Sequence, residues 1–229
     1  MESSMLKEKI DKEKQEFMCR LFSSCWFVLV AFLLFWVPYR VFAILCWVTY
    51  AFMVYEIFSS KIRGKITLRI LAALFCFCGI RSFIYCRESI GQFGCVFLIC
   101  ISSLTDIGGY SVGKILKGPK LCPKISPNKT WAGFGGGILL ANLAFLCLSN
   151  EFWRFAAEKS SIHMYMSNFW VVQIVILASV AGDLLESWFK RKIKVKDMGD
   201  LFPGHGGFLD RLDSLLLASI VFAILDILL

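Results

Sequence analysis

Seven mostly apolar stretches, each close to the roughly 20 residues that cross a hydrocarbon core, limit what this chain can fold into. They run about 18–37, 41–59, 67–85, 91–113, 132–149, 168–188 and 208–229. The third is the weakest, because Arg69 and Arg81 flank its short centre from Ile70 to Ile80. The fifth opens with Gly133 and Gly135 to Gly137, which would let another helix approach closely. Of the 229 residues, 58% are hydrophobic and 18% are charged, whereas a soluble domain is about half apolar and about a quarter charged. The expected fold is an all-α, polytopic integral membrane helical bundle of about seven transmembrane helices, with no room for a separate soluble domain beyond the loops.

Basic residues set the orientation. With the N-terminus cytoplasmic, 20 of the 25 Lys and Arg fall on the inner side, leaving only Arg40, Arg81, Arg87, Arg154 and Lys159 elsewhere. The net charge of +8 is therefore a topology signal first, and nucleic acid is not an expected partner. Residues 1–17 read as a solvated, mixed-charge cytoplasmic segment with no signal-peptide architecture, so the first run is expected to be retained. The ten cysteines sit mostly inside apolar runs, and with only two histidines a zinc or iron–sulfur centre is not expected. Cysteine acts here as a small hydrophobe, and disulfides are not implied.

The polar residues collect on one side. Two long cytoplasmic loops, about 114–131 and 189–207, follow runs that carry an acid near their inner ends, Asp106 and Asp183. A charged side chain within a span costs several kcal/mol unless it faces a polar cavity or a partner, so two such runs point to one shared pocket. At helical spacing Asp183 shares a face with Glu186 and Ser187, with Lys190 and Arg191 one turn on. Phe202-Pro203-Gly204-His205-Gly206-Gly207 is a tight turn opening the last run, where Asp210 and Asp213 stand three apart around Arg211. Backbone N–H groups at such a helix start favour anions. Two carboxylates beside it would repel unless a cation sat between them, and Asp183 with Asp210 are the candidates for an oxygen-rich Mg²⁺ site. His205 by itself reads as a hydrogen-bonding turn residue. In the other loop, Lys120 to Trp131, two prolines stiffen a segment in which Lys124, Ser126, Lys129 and Thr130 offer ammonium and hydroxyl donors. It can cradle phosphates or touch anionic headgroups, and it lacks the Walker A order. Asp106 is open to a base, a sugar or the metal, or to a plain ion pair with Lys114 or Arg211. No Ser/His/Asp or Cys/His nucleophile arrangement is recognisable, so these parts suit direct phosphoryl or nucleotidyl transfer onto a lipid phosphate.

Residues 187–213 carry a resemblance. The chain resembles the phosphatidate cytidylyltransferase family, whose signature is filled at every fixed position by Ser187, Lys190, Arg191, Lys196, Asp197, Gly199, Phe202, Pro203, His205, Gly206, Gly207, Asp210, Arg211 and Asp213. Ser126-Pro127-Asn128-Lys129-Thr130-Trp131 and Gly182-Asp183-Leu184 match further family elements, so the likeness covers roughly 90–229. It implies that CTP and phosphatidic acid react with Mg²⁺ to give CDP-diacylglycerol and pyrophosphate. It implies a metal centre on Asp183 and Asp210, able to take K⁺ beside Mg²⁺. It implies phosphate contacts by Ser126, Lys129 and Thr130, and by Lys190 and Arg191. The expected catalytic residues are Asp183, Asp210, Lys190, Arg191, His205 and Asp213, and the expected nucleotide-binding residues are Ser126, Lys129, Thr130, Lys124, Asp106 and Arg211. The chain would then divide into the segment 1–17, N-terminal helices over 18–90 and a catalytic region over 91–229. A homodimer in a cell membrane of the bacterial inner-membrane type, with its site on the cytoplasmic face, completes the expectation. Two departures stand out: Ala132 where relatives often carry Glu, and Gly109 where Ala is common.

Three rivals remain at this level. A CTP-dependent lipid-alcohol kinase of related fold should lack the full Lys-Asp…His-Gly-Gly…Asp-Arg…Asp run. An alcohol phosphotransferase needs an Asp-Gly-x-x-Ala-Arg segment that is not found. A transporter should hold its charges near the bilayer midplane.

Overall fold

Each apolar run from the second onward forms one helix in the computed structural model, which describes residues 36–59, 65–148, 169–195, 197–199 and 206–228. Helix α1 spans Tyr39–Phe58, α2 Ile66–Ser89, α3 Gln92–Leu116, α4 Trp131–Leu148, α5 Phe169–Lys192 and α6 Leu209–Leu228. The all-α class holds. Four helices, α1, α2, α3 and α5, are long and apolar enough to cross a membrane, and α4 has a shorter apolar stretch, Trp131–Leu143. Helix α6 carries Asp210, Arg211, Asp213 and Asp226 within its 20 residues, too much charge to qualify by composition. The run at about 18–37 and the N-terminal segment fall outside the described residues, apart from residues 36 and 37. Six helices and four clear spans therefore stand among the described residues, against about seven crossings expected.

The helix breaks sit where the backbone leaves the right-handed region. Gly91, at φ 88, turns the chain between α2 and α3, a conformation open to a residue without Cβ. Helix α3 stops on Lys117 (φ 54) and Gly118 (φ 93), both outside the right-handed region, with Pro119 next, which cannot continue a helix. The following segment is more than the proline-stiffened loop expected. Strands β1 (Lys120–Cys122) and β2 (Ser126–Thr130) pair antiparallel, Lys120 opposite Thr130 and Cys122 opposite Ser126. Strand β2 is the longer side of this irregular ladder, and Pro127, with no N–H to give, sits in it where a regular ladder would exclude it. The Trp131 N–H donates to Pro119 O at 3.1 Å and closes the base of the hairpin.

Helix α6 is central, packing on α5, α2 and α3, while α3 pairs with α4 and α1 with α2. Phe97 and Phe222 join α3 to α6 at 6.1 Å between ring centroids, and Phe42 and Phe83 join α1 to α2 at 5.6 Å. Glycines bring α3 against α4 as their sequence suggested. A Cβ on Gly133 would lie 2.5 Å from Gly109 O, and one on Gly137 would lie 2.6 Å from Thr105 O. Gly135 faces open space and takes no part. The outward faces are apolar as well: Ile44, Leu71, Leu74, Leu139 and Leu146 each leave more than half their surface uncovered. Such faces are a liability in water and a match for lipid, and the chain is a multi-pass membrane protein.

The bundle has two unlike ends. At one, the Arg87 guanidinium donates to Val37 O at 2.6 Å and Ser89 Oγ donates to Asp226 at 3.0 Å. The other end gathers the C-terminal ends of α1, α3 and α5, the starts of α2, α4 and α6, and the hairpin.

Candidate active site

The hairpin is fastened to α5 by two side chains. Arg191 Nε donates to Ile125 O at 3.2 Å, and Lys129 forms an ion pair with Asp183, both side chains about three-quarters covered. At the hairpin's exit Thr130 is buried, and its hydroxyl oxygen accepts the Gly133 N–H at 3.1 Å, which caps the start of α4. The glycine contact between α3 and α4 then sets Asp106 on the same side as the hairpin.

Three carboxylates from three helices meet below it. Asp183 comes from α5, Asp106 from the exposed rim of α3, and the buried Asp213 from α6. Asp213 feels the charge of both Asp183 and Asp106. Ser214 links two of them, its N–H donating to Asp213 Oδ1 at 2.7 Å and its hydroxyl to Asp106 Oδ2 at 3.1 Å. Gly182 makes the meeting possible. A Cβ there would lie 2.6 Å from Asp213 O, so α5 and α6 touch backbone to backbone beside Asp183.

A second group lies one turn further along α5. Lys190 Nζ is 2.5 Å from Glu186 Oε2 and 3.0 Å from Asp210 Oδ1. Glu186 is buried, with the Lys190 ammonium set directly against its carboxylate. Asp210 Oδ2 accepts the Met198 N–H at 2.9 Å and the Gly207 N–H at 2.7 Å. Its carboxylate is thus the knot that ties the 197–199 segment, the glycine turn and Lys190 together.

The structure brings Asp106, Lys129, Thr130, Asp183, Lys190, Arg191, Asp210 and Asp213 to one end of the bundle. Ser126 is half-buried in β2, Lys124 is exposed at the hairpin turn, and Arg211 is exposed on α6. His205 lies outside the described residues. One expectation needs correcting. The backbone N–H groups at the start of α6 are not open to a ligand anion, because Gly207 donates to Asp210, and Phe208 and Leu209 donate to Glu56 at 2.8 Å and 3.1 Å. Asp210 and Asp213 also part ways, the first turned back to Lys190 and the loop, the second held in the α5–α6 contact. Glu56 and Ser214 were missed in the sequence. Glu56 had a signal: it is the one charged residue from Val41 to Phe58, and a carboxylate in such a run needs a partner.

Fold and site define a multi-pass membrane protein with acids and ammonium groups set together at one end of a helical bundle. A sequence model described as the cytidylyltransferase family matches residues 62–228, and the chain belongs to that family. It is 40% identical over 181 residues to a phosphatidate cytidylyltransferase of Bacillus subtilis (strain 168), covering 76% of this chain and 62% of that protein. The enzyme of the same name from Mycobacterium leprae (strain TN) is 36% identical over 138 residues, 60% of this chain and 41% of the relative. That of Brucella suis biovar 1 is 41% identical over 136 residues, 58% and 46%. The chain thus spans between 41% and 62% of the length of these relatives.

Proposed function

We propose that this protein transfers CMP from CTP to phosphatidic acid, giving CDP-diacylglycerol and pyrophosphate. A phosphate oxygen of the lipid attacks the α-phosphorus of CTP in line, and the bond to the β-phosphate breaks as pyrophosphate leaves. The observation that carries this reading is the meeting of Asp106, Asp183 and Asp213 from three helices beside Lys129 and Lys190. Carboxylates suit a cation, ammonium groups suit phosphates, and the surrounding helix faces suit acyl chains. Charges gathered at one end of the helices speak against a transporter, whose ion sites belong near the midplane.

Among the described residues no group of three or more His, Cys, Asp or Glu could hold a metal ion by itself, so a Mg²⁺ here would rest on one or two carboxylates plus substrate phosphates and waters. Asp183 and Asp210 would hold it, with K⁺ as a companion ion, and a divalent cation there polarises phosphate oxygens and neutralises developing charge. Lys129 and Lys190 balance those same carboxylates and would be the ammonium groups to meet a phosphate. Arg191 uses Nε on Ile125 and keeps its other donors. Ser126, Lys124, Thr130, Asp106 and Arg211 would orient the nucleotide, and Asp213 and His205 would take catalytic parts. The basic residues put this end on the cytoplasmic side, in a membrane of the bacterial inner type, with two copies of the chain forming the working unit.

The test is direct. Membranes carrying the full chain should turn labelled CTP and phosphatidic acid into a CDP-lipid and pyrophosphate, and EDTA should stop the reaction. Asp183→Asn or Asp210→Asn should nearly abolish it at normal expression, and full activity in both removes the metal assignment. Release of CDP with phosphorylation of a lipid alcohol would instead favour the kinase.

A further inference from the structure

Helix α1 precedes the family-matched region, residues 62–228, and by sequence it is only a membrane span. Its Glu56 contradicts that. The side chain is 2% exposed, and its two carboxylate oxygens accept the consecutive N–H groups of Phe208 and Leu209 at 2.8 Å and 3.1 Å. These are orphan donors at the start of α6, and a carboxylate there also meets the positive end of the helix dipole. One helical turn earlier on α1, Phe52 stacks on Phe208 at 5.3 Å with 19° between ring planes. Glu56 also explains two glycines. A Cβ on Gly199 would lie 2.7 Å from Glu56 Oε1, and one on Gly207 would strike the same oxygen. The next residue along α6 is Asp210, close enough to Glu56 for their charges to act on each other.

We propose that Glu56 is a positioning residue: it clamps the start of α6 and the two glycine segments around it, and so fixes where Asp210 and Lys190 stand. Helix α1 is then a wall of the active site. The claim on catalysis rests on the cytidylyltransferase reading, and the clamp itself does not.

The experiment separates the two. Full-length protein in detergent is compared as wild type, Glu56→Gln, Glu56→Ala, Gly207→Ala and the double variant Glu56→Ala/Gly207→Ala. Hydrogen exchange of the Phe208 and Leu209 amides reads the clamp without any substrate. It should be about tenfold faster in Glu56→Ala, and an unchanged rate overturns the proposal even if wild type is inactive. With CTP and phosphatidic acid, kcat per folded protein should fall about tenfold or more in Glu56→Ala, with KM for CTP within about threefold of wild type. A loss confined to thermal stability or yield, at wild-type kcat, shows Glu56 to be structural only and sinks the positioning role. Glu56→Gln should fall between, because its amide can accept one N–H but opposes the other. Gly207→Ala should be impaired alone, and removing the Glu56 carboxylate should relieve part of that loss, because the added methyl then has room. Additive losses in the double variant would mean that the two residues do not share the contact. Wild type without turnover but with the exchange result intact would defeat the cytidylyltransferase reading and leave the clamp standing.

Discussion

Gly182→Ala tests how closely the site depends on the approach of α5 to α6. The new Cβ would lie 2.6 Å from Asp213 O and 3.1 Å from both Leu217 Cβ and Ser214 Cα. The nearest atom is backbone, so it cannot swing aside, and the helices have to part. Relaxing 2.6 Å to the 3.4 Å at which ordinary van der Waals contact begins moves them about 0.8 Å. Overpacking of this kind costs about 1–3 kcal/mol, and replacing glycine in a helix returns about 1 kcal/mol. The fold should therefore survive with a net loss of at most about 2 kcal/mol. Turnover should not survive as well, because a misplacement of about 1 Å can cost about 100-fold, and this one falls between Asp183 and Asp213. The assay is the initial rate of CDP-lipid formation per folded protein, with thermal unfolding in detergent measured alongside. Gly135→Ala is the control, since nothing stands within 4 Å of that position. If Gly182→Ala stays within about threefold of wild type, the spacing of the carboxylates is not what sets the rate.

Thr130→Ala removes the cap of α4 and should cost about 1 kcal/mol, read by thermal unfolding, while Thr130→Ser should restore most of it. Lys190→Met leaves the buried Glu186 and Asp210 without their ammonium group and should destabilise by about 3–5 kcal/mol, seen as poor yield. Lys129→Met removes a partly exposed pair and should cost under about 1 kcal/mol, yet it should depress turnover strongly if this ammonium also serves a phosphate. Cys78→Ser should leave both stability and turnover close to wild type, as expected for an exposed free thiol with no chemical task.

The helices were legible because hydropathy and Gly/Pro punctuation act locally. The run expected at 41–59 is Tyr39–Phe58, and that at 91–113 is Gln92–Leu116. The third run, expected at 67–85, forms α2, which goes on to Ser89 because Arg87 finds internal partners, Val37 O and the Phe42 ring face. The hairpin was not legible, since Ser126-Pro127-Asn128-Lys129-Thr130 has no apolar alternation to mark a half-buried strand. Which carboxylate each lysine would pair with was equally hidden. Lys129 and Asp183 are 54 positions apart, and only the docking of the hairpin on α5 brings them together. Glu56 was visible as a lone acid in an apolar run, but its partners are backbone groups 152 and 153 positions away, which carry no side-chain signature.

Those backbone groups bear on how phosphates are held. The start of α6 has the dipole and the free N–H groups that make a ready anion site, yet the chain fills it with its own carboxylates, Glu56 on Phe208 and Leu209 and Asp210 on Gly207. An anionic substrate would have to displace a buried carboxylate to use them. Among the described residues, side-chain cations offer themselves for phosphates instead: Lys129 and Lys190, paired at rest with Asp183, Glu186 and Asp210, Arg191 at the hairpin, and the exposed Lys124 and Arg211. An amide in a helix start is fixed, whereas an ammonium on a four-carbon stem can leave one anion for another. On the function proposed above, the resting site is neutralised from within, and Lys129 and Lys190 would be the groups to turn to the nucleotide phosphates if a divalent ion took over Asp183 and Asp210.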